Sequence, residues 1–341
     1  MPLSTSSSEA GRGTPPGRVA AALWSGAAPT VLALALMLAA AELWYRAAPA
    51  LGPVDPDSVL LATQQERART MGPADLVVLG DSSALMGIDA PRLGAALGDA
   101  RIESLATMGI VGPVGHGALL RAYAARGNQP ANVLLLLHGA SLVLTDPTFA
   151  ALGYEAMAVA GRMARPSPPL LGARRKLFQD LVFPVVSFPL LGAFGRAYGW
   201  PADMKAALIA GRGTMIDPNP SLPARPAAPA APYVFSLSDD VARRLDTLRG
   251  TFAELGVGRV LLGLTPLPDS RHGAATAASR AATLRAVAGR LGLADGDILD
   301  LPASLPDHLF ASETHLSADG RQAYLPHLSA ALADAVGRPT E

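Results

Sequence analysis

A serine hydroxyl becomes a useful nucleophile only when a neighbouring imidazole can take its proton, and two stretches of this chain carry those parts. The first, VVLGDSSALMG at residues 77–87, stops an apolar run at Gly80 and continues with Asp81 and Ser82. The second, ETHLSADG at residues 313–320, sets His315 in a polar loop ahead of a helical pattern that Ser317 is placed to cap. A carboxylate on the second imidazole nitrogen would fix the tautomer and stabilise the imidazolium formed during attack. The nearest in sequence is Glu313, and extended residues two apart face one side, so Glu313 is the expected partner of His315. Asp307 is the next nearby carboxylate, and a Ser82–His315 dyad leaning on a backbone carbonyl is a third arrangement.

These parts are far apart in sequence, so the elements between them must bring them together. Apolar runs of strand length occur at residues 76–80, 102–106, 133–137 and 260–264, with a shorter one at 298–301. Helix-period segments lie between them at 90–97, 114–125, 239–255, 277–291 and 318–336. Continuous apolar strands alternating with helices imply a mostly parallel sheet covered on both faces, an α/β domain. In such sheets ligands bind beyond the carboxyl ends of the strands, where Asp81 and Ser82 would sit. The alternation fails across about 145–236, a proline-interrupted insertion that reads as a lid, a membrane-facing surface or irregular packing.

At 341 residues with 50% hydrophobic content, the chain has ample material for a core. Basic and acidic residues balance at 28 each, and the only basic cluster of note is Arg174-Arg175-Lys176, so no nucleic-acid partner is expected. There is no cysteine, which removes disulfides and thiolate metal sites. Residues 1–18 are rich in Ser, Gly and Pro and carry Arg12 and Arg18, and the next 23 residues, 19–41, hold no charge. That length suits one transmembrane helix, since a bilayer core needs about 20 apolar residues. The expected organisation is a cytoplasmic tail at 1–18, an anchor at 19–45 ending in Trp44 and Tyr45, a linker with a short helix at 46–73, and the α/β domain at 74–341. Flanking arginines place the domain outside the cytoplasm; a cleaved signal peptide ending near Ala39-Ala40-Ala41 is the competing reading and exports it too.

Gly80-Asp81-Ser82 after a first strand, a glycine after the second strand and His315 before the last helix resemble the SGNH (GDSL) hydrolase superfamily, over about 75–145 and 258–337. The resemblance implies a flavodoxin-like three-layer α/β/α fold and a serine esterase or acyl transferase. It makes Ser82 the nucleophile and His315 the base, with the Ser82 and Gly109 amides as oxyanion donors. The family's third block, Gly-x-Asn-Asp, is altered to His138-Gly139-Ala140-Ser141, which puts Ser141 in the asparagine's place, with His138 as another substitute donor. The family's usual acid, three residues before the histidine, is replaced by Ser312. An N-terminal anchor, GDSSALMGID and LTPLP at 264–268 look like membrane-anchored members that modify envelope polysaccharides, often beside a membrane-bound O-acyltransferase.

The resemblance and the N-terminal segment together imply an exported esterase or O-acetyltransferase, single-pass in the inner membrane with a periplasmic domain, acting on an acylated glycan or other ester. Its expected partners are membrane lipid and an O-acyltransferase. The altered third block also fits a different class, a non-catalytic subunit that keeps the fold and docks an acyltransferase or polysaccharide. Other chemistries lack their residues: there is no G-x-S-x-G, no H-E-x-x-H, and no S-x-x-K at either lysine, Lys176 or Lys205. The glycines of GIVGPVGHG, 109–117, miss dinucleotide spacing, and the six histidines are scattered, so neither cofactor nor metal is expected.

Overall fold

The computed structural model describes residues 29–37, 39–40, 56–146, 148, 201–217, 221–222 and 231–337. The chain divides into two compact units, 1–51 with 166–185, and 52–165 with 186–341. Of the first unit only a helix over 29–37 and residues 39–40 are described, and Val31, Leu32, Leu34, Leu36 and Met37 on it are exposed. The expected tail at 1–18, most of the anchor at 19–45 and most of the insertion, including Arg174-Arg175-Lys176, lie outside the described residues. Among the described residues, no helix is long and apolar enough to cross a membrane.

The second unit is an α/β domain built on a parallel sheet. Strands β1 (Leu76–Gly80), β2 (Ile102–Ser104), β3 (Asn132–Leu137) and β4 (Arg259–Leu264) lie in the order β2-β1-β3-β4, all parallel. The run at 298–301 is reduced to a single parallel bridge from Ile298 to Leu262 on the β4 edge. Strands β5 (Leu267–Pro268) and β6 (Ser304–Leu305) form a separate parallel pair.

The helices of this unit, in chain order, are α1 (Pro56–Thr70), α2 (Ser82–Gly87), α3 (Ala90–Ala96), α4 (Gly112–Ala124), the short α5 (Gly139–Leu142), α6 (Pro201–Ala210), α7 (Asp239–Glu254), α8 (Ala274–Leu291) and α9 (Ala318–Gly337). Side-chain alternation on the strands explains where they pack. Leu76, Val78, Leu134, Leu136 and Leu261 enter one buried cluster, whereas Val77, Leu79, Leu135, Leu137, Leu262 and Leu264 enter another. Both sheet faces therefore need apolar cover, which is compatible with three layers. The first cluster takes residues of α1, α2, α3, α6 and α9, and the second takes residues of α4, α5, α7 and α8 together with Ala68 of α1.

The sequence reads 46–73 as a linker with a short helix, and that helix, α1, is 15 residues long and packed into the domain. Its Val59, Leu60 and Leu61 are core, and its polar side chains are put to structural use. Arg67 is buried and donates from Nη2 to Glu103 Oε2 at 2.6 Å and from Nη1 to the Ser104 carbonyl at 2.6 Å and Gln64 Oε1 at 2.7 Å. Gln64 donates to the Ala106 and Gly213 carbonyls at 2.7 and 2.9 Å. A polar sequence pattern with little apolar periodicity hides the docking of this helix, because its contacts to β2 are hydrogen bonds.

Breaking a buried ion pair from one side leaves an uncompensated charge. Glu103→Ala should therefore lower unfolding free energy by about 3–5 kcal/mol, read from the denaturant midpoint. The paired Arg67→Met, Glu103→Met variant should recover most of that loss.

Candidate functional site

The site forms where β1 and β3 end side by side. Gly80, the last residue of β1, pairs with Leu136, and a β-carbon there would lie 2.2 Å from the Leu136 carbonyl oxygen, so only glycine fits this approach. Asp81 then caps α2, a position that favours a short acceptor side chain. Its buried carboxylate accepts from the Ser83 amide at 3.0 Å and the Ser83 hydroxyl at 2.5 Å. It also accepts from the His138 amide at 2.6 Å and the Ser141 hydroxyl at 2.5 Å, which ties the β1 end to the β3 end. Ser83 lies 3.0 Å from the Thr265 hydroxyl, just past β4.

Ser82 opens α2, and its hydroxyl oxygen lies 2.9 Å from His315 Nε2. On the other side, His315 Nδ1 lies 2.7 Å from Asp217 Oδ2, whose side chain is 0% exposed. The three groups form one hydrogen-bonded line, acid to imidazole to hydroxyl. With Nδ1–H donated to the carboxylate, Nε2 is left to accept the serine proton.

The carboxylate beside the His315 ring is Asp217, in place of the expected Glu313. Ala311 and Ser312 amides both donate to the His315 carbonyl, and Ser312 Oγ accepts from the Thr314 and His315 amides at 3.3 and 3.1 Å. This closed turn breaks the extended geometry that would have put Glu313 beside the ring. Glu313 is 68% exposed, with Arg271 at 3.9 Å. Asp307 is buried elsewhere, accepting from the Ser270 amide at 2.9 Å. Ser312, in the expected acid's place, thus holds the histidine's backbone, and Ser317 Oγ accepts from the Gly320 amide at the start of α9, as its position implied.

Asp217 comes from the stretch read as an insertion. After α6, whose Lys205 pairs with Glu66 of α1 at 2.7 Å, the chain turns through Gly211–Thr214. Arg212 offers its carbonyl to the Ser104 amide at 2.9 Å, extending the β2 edge, and Met215 donates to the Leu85 carbonyl. Gly213 has φ +86, and a β-carbon there would sit 1.9 Å from Arg67 Nη1 and from the Ser104 carbonyl oxygen. The α1 network therefore fixes the loop that delivers the acid. Its sequence signal is slight: one aspartate after a Gly-Arg-Gly turn and before a proline.

Ser82 and Gly109 head helical segments, α2 and the 3₁₀ turn Gly109–Val111, so their amides lack an intrahelical acceptor and suit an oxyanion. Ser141 differs from expectation. Its amide donates to the His138 carbonyl and its hydroxyl to Asp81, so both donors are engaged in holding the loop. His138 Nδ1 accepts from the Ala140 amide at 3.1 Å, which leaves the proton on Nε2, buried without a partner. Burial holds its pKa below the ordinary histidine value. Among the described residues no group of three or more His, Asp or Glu side chains is placed to hold a metal ion.

Comparison with protein-family models, with curated proteins and with solved structures finds no match for this chain.

Near Asp81 and the Gly80 backbone lies His116 of α4, fully buried. Burial pushes its pKa down from 6.5 to about 4, against the opposing pull of the Asp81 charge and the Gly80 backbone. The unfolded chain then takes up a proton near pH 6.5 that the folded chain refuses, so stability falls as pH drops through that window. Between pH 7 and pH 5 this one residue should remove about 2 kcal/mol. His116→Leu should flatten that part of the denaturant-midpoint profile; an unchanged profile would place the pH dependence elsewhere.

Proposed function

We propose that this protein is a serine esterase or O-acyltransferase of the SGNH type, working through an acyl-serine intermediate. The observation that carries this reading is the Asp217–His315–Ser82 line, with 2.7 and 2.9 Å links, at the carboxyl end of a parallel sheet. The strand order, with Ile298 bridged beyond β4, supports a flavodoxin-like arrangement, in which this end is the usual ligand site.

His315 Nε2 takes the proton as Ser82 Oγ attacks the acyl carbonyl; the Ser82 and Gly109 amides receive the developing oxyanion. Collapse breaks the ester C–O bond, and the imidazolium returns the proton to the leaving alkoxide. A second hydroxyl, from water or a sugar, reverses these steps and frees Ser82. Residues 19–41 anchor the protein in the inner membrane, and the domain faces the periplasm, where acylated envelope glycan is the substrate and an O-acyltransferase the partner.

One observation favours the non-catalytic reading: Ser141 is turned to Asp81, so it does not take the third oxyanion-donor role the resemblance gives its position. Losing such a donor costs about 2.7–4 kcal/mol of transition-state stabilisation, which slows a site without removing its nucleophile. Catalysis remains the better-supported reading, because a scaffold has no need of an aligned acid and imidazole.

Incubating the purified chain with a fluorophosphonate or an activated acetyl ester, then mapping the added mass, separates the two. Labelling should fall on Ser82 alone and vanish in Ser82→Ala and His315→Ala. Asp217→Asn should slow ester turnover by about 10⁴, the scale seen when such an acid is neutralised, while Glu313→Ala runs close to wild type. A folded, unreactive chain would support the scaffold instead.

A further inference from the structure

A second concave site lies beside the acid loop, in a cavity of about 80 Å³ lined by Asp89, Arg92, Ile216, Arg321, Gln322 and Leu325, with Ala318 at its edge. We propose that this cavity binds a carboxylate or phosphate group carried on the acylated substrate. Its link to substrate rests on the esterase or acyltransferase reading above; its capacity to hold an anion does not.

Positive charge in this cavity is poorly matched. Arg321, in the first turn of α9, is 6% exposed, and its Nε is buried without a hydrogen-bond partner. Its Nη2 donates to the Ile88 carbonyl, a neutral acceptor. The one carboxylate lining the cavity, Asp89, stands 3.7 Å from Arg321 and 3.8 Å from Arg92, beyond hydrogen-bonding distance of either. Asp89 is occupied instead in capping α3, accepting from the Arg92 amide at 3.1 Å. Asp89 thus forms ion pairs with both guanidinium groups, the buried Arg321 and the exposed Arg92, so two positive charges share one carboxylate, and the buried Arg321 Nε still lacks an acceptor, which is costly unless an anion supplies one. Arginine's planar fork matches the paired oxygens of a carboxylate or phosphate.

Position ties the cavity to the chemistry. Ile216, on the cavity wall and exposed, directly precedes Asp217. Ser82 begins α2 and Asp89 follows its C-cap Ile88, so a six-residue helix, about 9 Å long at 1.5 Å per residue, separates the two along the chain. An anionic unit in the cavity and an acylated unit at Ser82 can therefore belong to one oligomeric substrate. The cavity is too small for a whole sugar, which leaves the acid group inside and the ring against Ile216 and Leu325.

Calorimetric titration of the full purified chain with glucuronate, inorganic phosphate and glucose tests the site. Glucuronate and phosphate should bind and glucose should not. Arg321→Gln and Arg92→Gln should each weaken anion binding about tenfold or more, the scale of a lost charge-assisted hydrogen bond. Gln322→Glu, which adds a negative charge to the cavity wall without removing a packing atom, should weaken it through repulsion even where Arg321→Gln fails to fold. Binding by neither anion, or binding indifferent to Arg92→Gln and Gln322→Glu, overturns the proposal. The substrate link is read from turnover of an acetylated glucuronide against the acetylated glucoside. Wild type should prefer the acid and Arg92→Gln should lose that preference; equal use of both by wild type overturns the link. Failure of the catalytic reading shows separately, as absence of Ser82 labelling.

Discussion

The Asp81 carboxylate is the constraint on which the site depends. Buried at the end of β1, it accepts hydrogen bonds from the Ser83 amide and hydroxyl, the His138 amide and the Ser141 hydroxyl. A buried carboxylate is tolerated only when such donors surround it, and these donors come from two neighbouring strand ends. Satisfying one charge therefore fixes the start of α2, where Ser82 sits, against the loop after β3. The same interaction explains why Ser141 holds the loop after β3: its hydroxyl donates to the buried Asp81 carboxylate.

The second constraint reaches the site from the opposite side. Arg67 and Gln64 of α1 bind the carbonyls of Ser104, Ala106 and Gly213, and so pin the loop that ends in Asp217. Asp217 and His315 lie 98 positions apart in sequence, and His315 and Ser82 lie 233 apart. Only the sheet, with α1 strapped to its β2 edge, brings all three together. A site assembled from such distant segments is sensitive to strain well away from the chemistry.

Much of this is legible in the residues. Four strands and five helices can be read from apolar runs and helical periodicity, because both sheet faces are buried and each helix has an apolar face to cover. Ser82 and His315 are visible as a strand-end hydroxyl and a loop imidazole. What stays hidden is polar and long-range. The α1 helix carries little apolar periodicity and docks through Arg67 and Gln64, so it reads as a short helix within a linker and its place in the core does not show. Asp217 lies in a proline-broken stretch with no local signature, and sequence proximity points to Glu313 because the turn closed by Ser312 cannot be read from residue types alone.

Asp217 holds the His315 imidazole in line with the Ser82 hydroxyl, and nuclear magnetic resonance of that ring tests this most directly. In ¹⁵N-labelled protein the His315 Nδ1 proton should give a strongly downfield, exchange-protected signal that disappears in Asp217→Asn and persists in Glu313→Ala. A signal that survives Asp217→Asn and is lost in Glu313→Ala would contradict it.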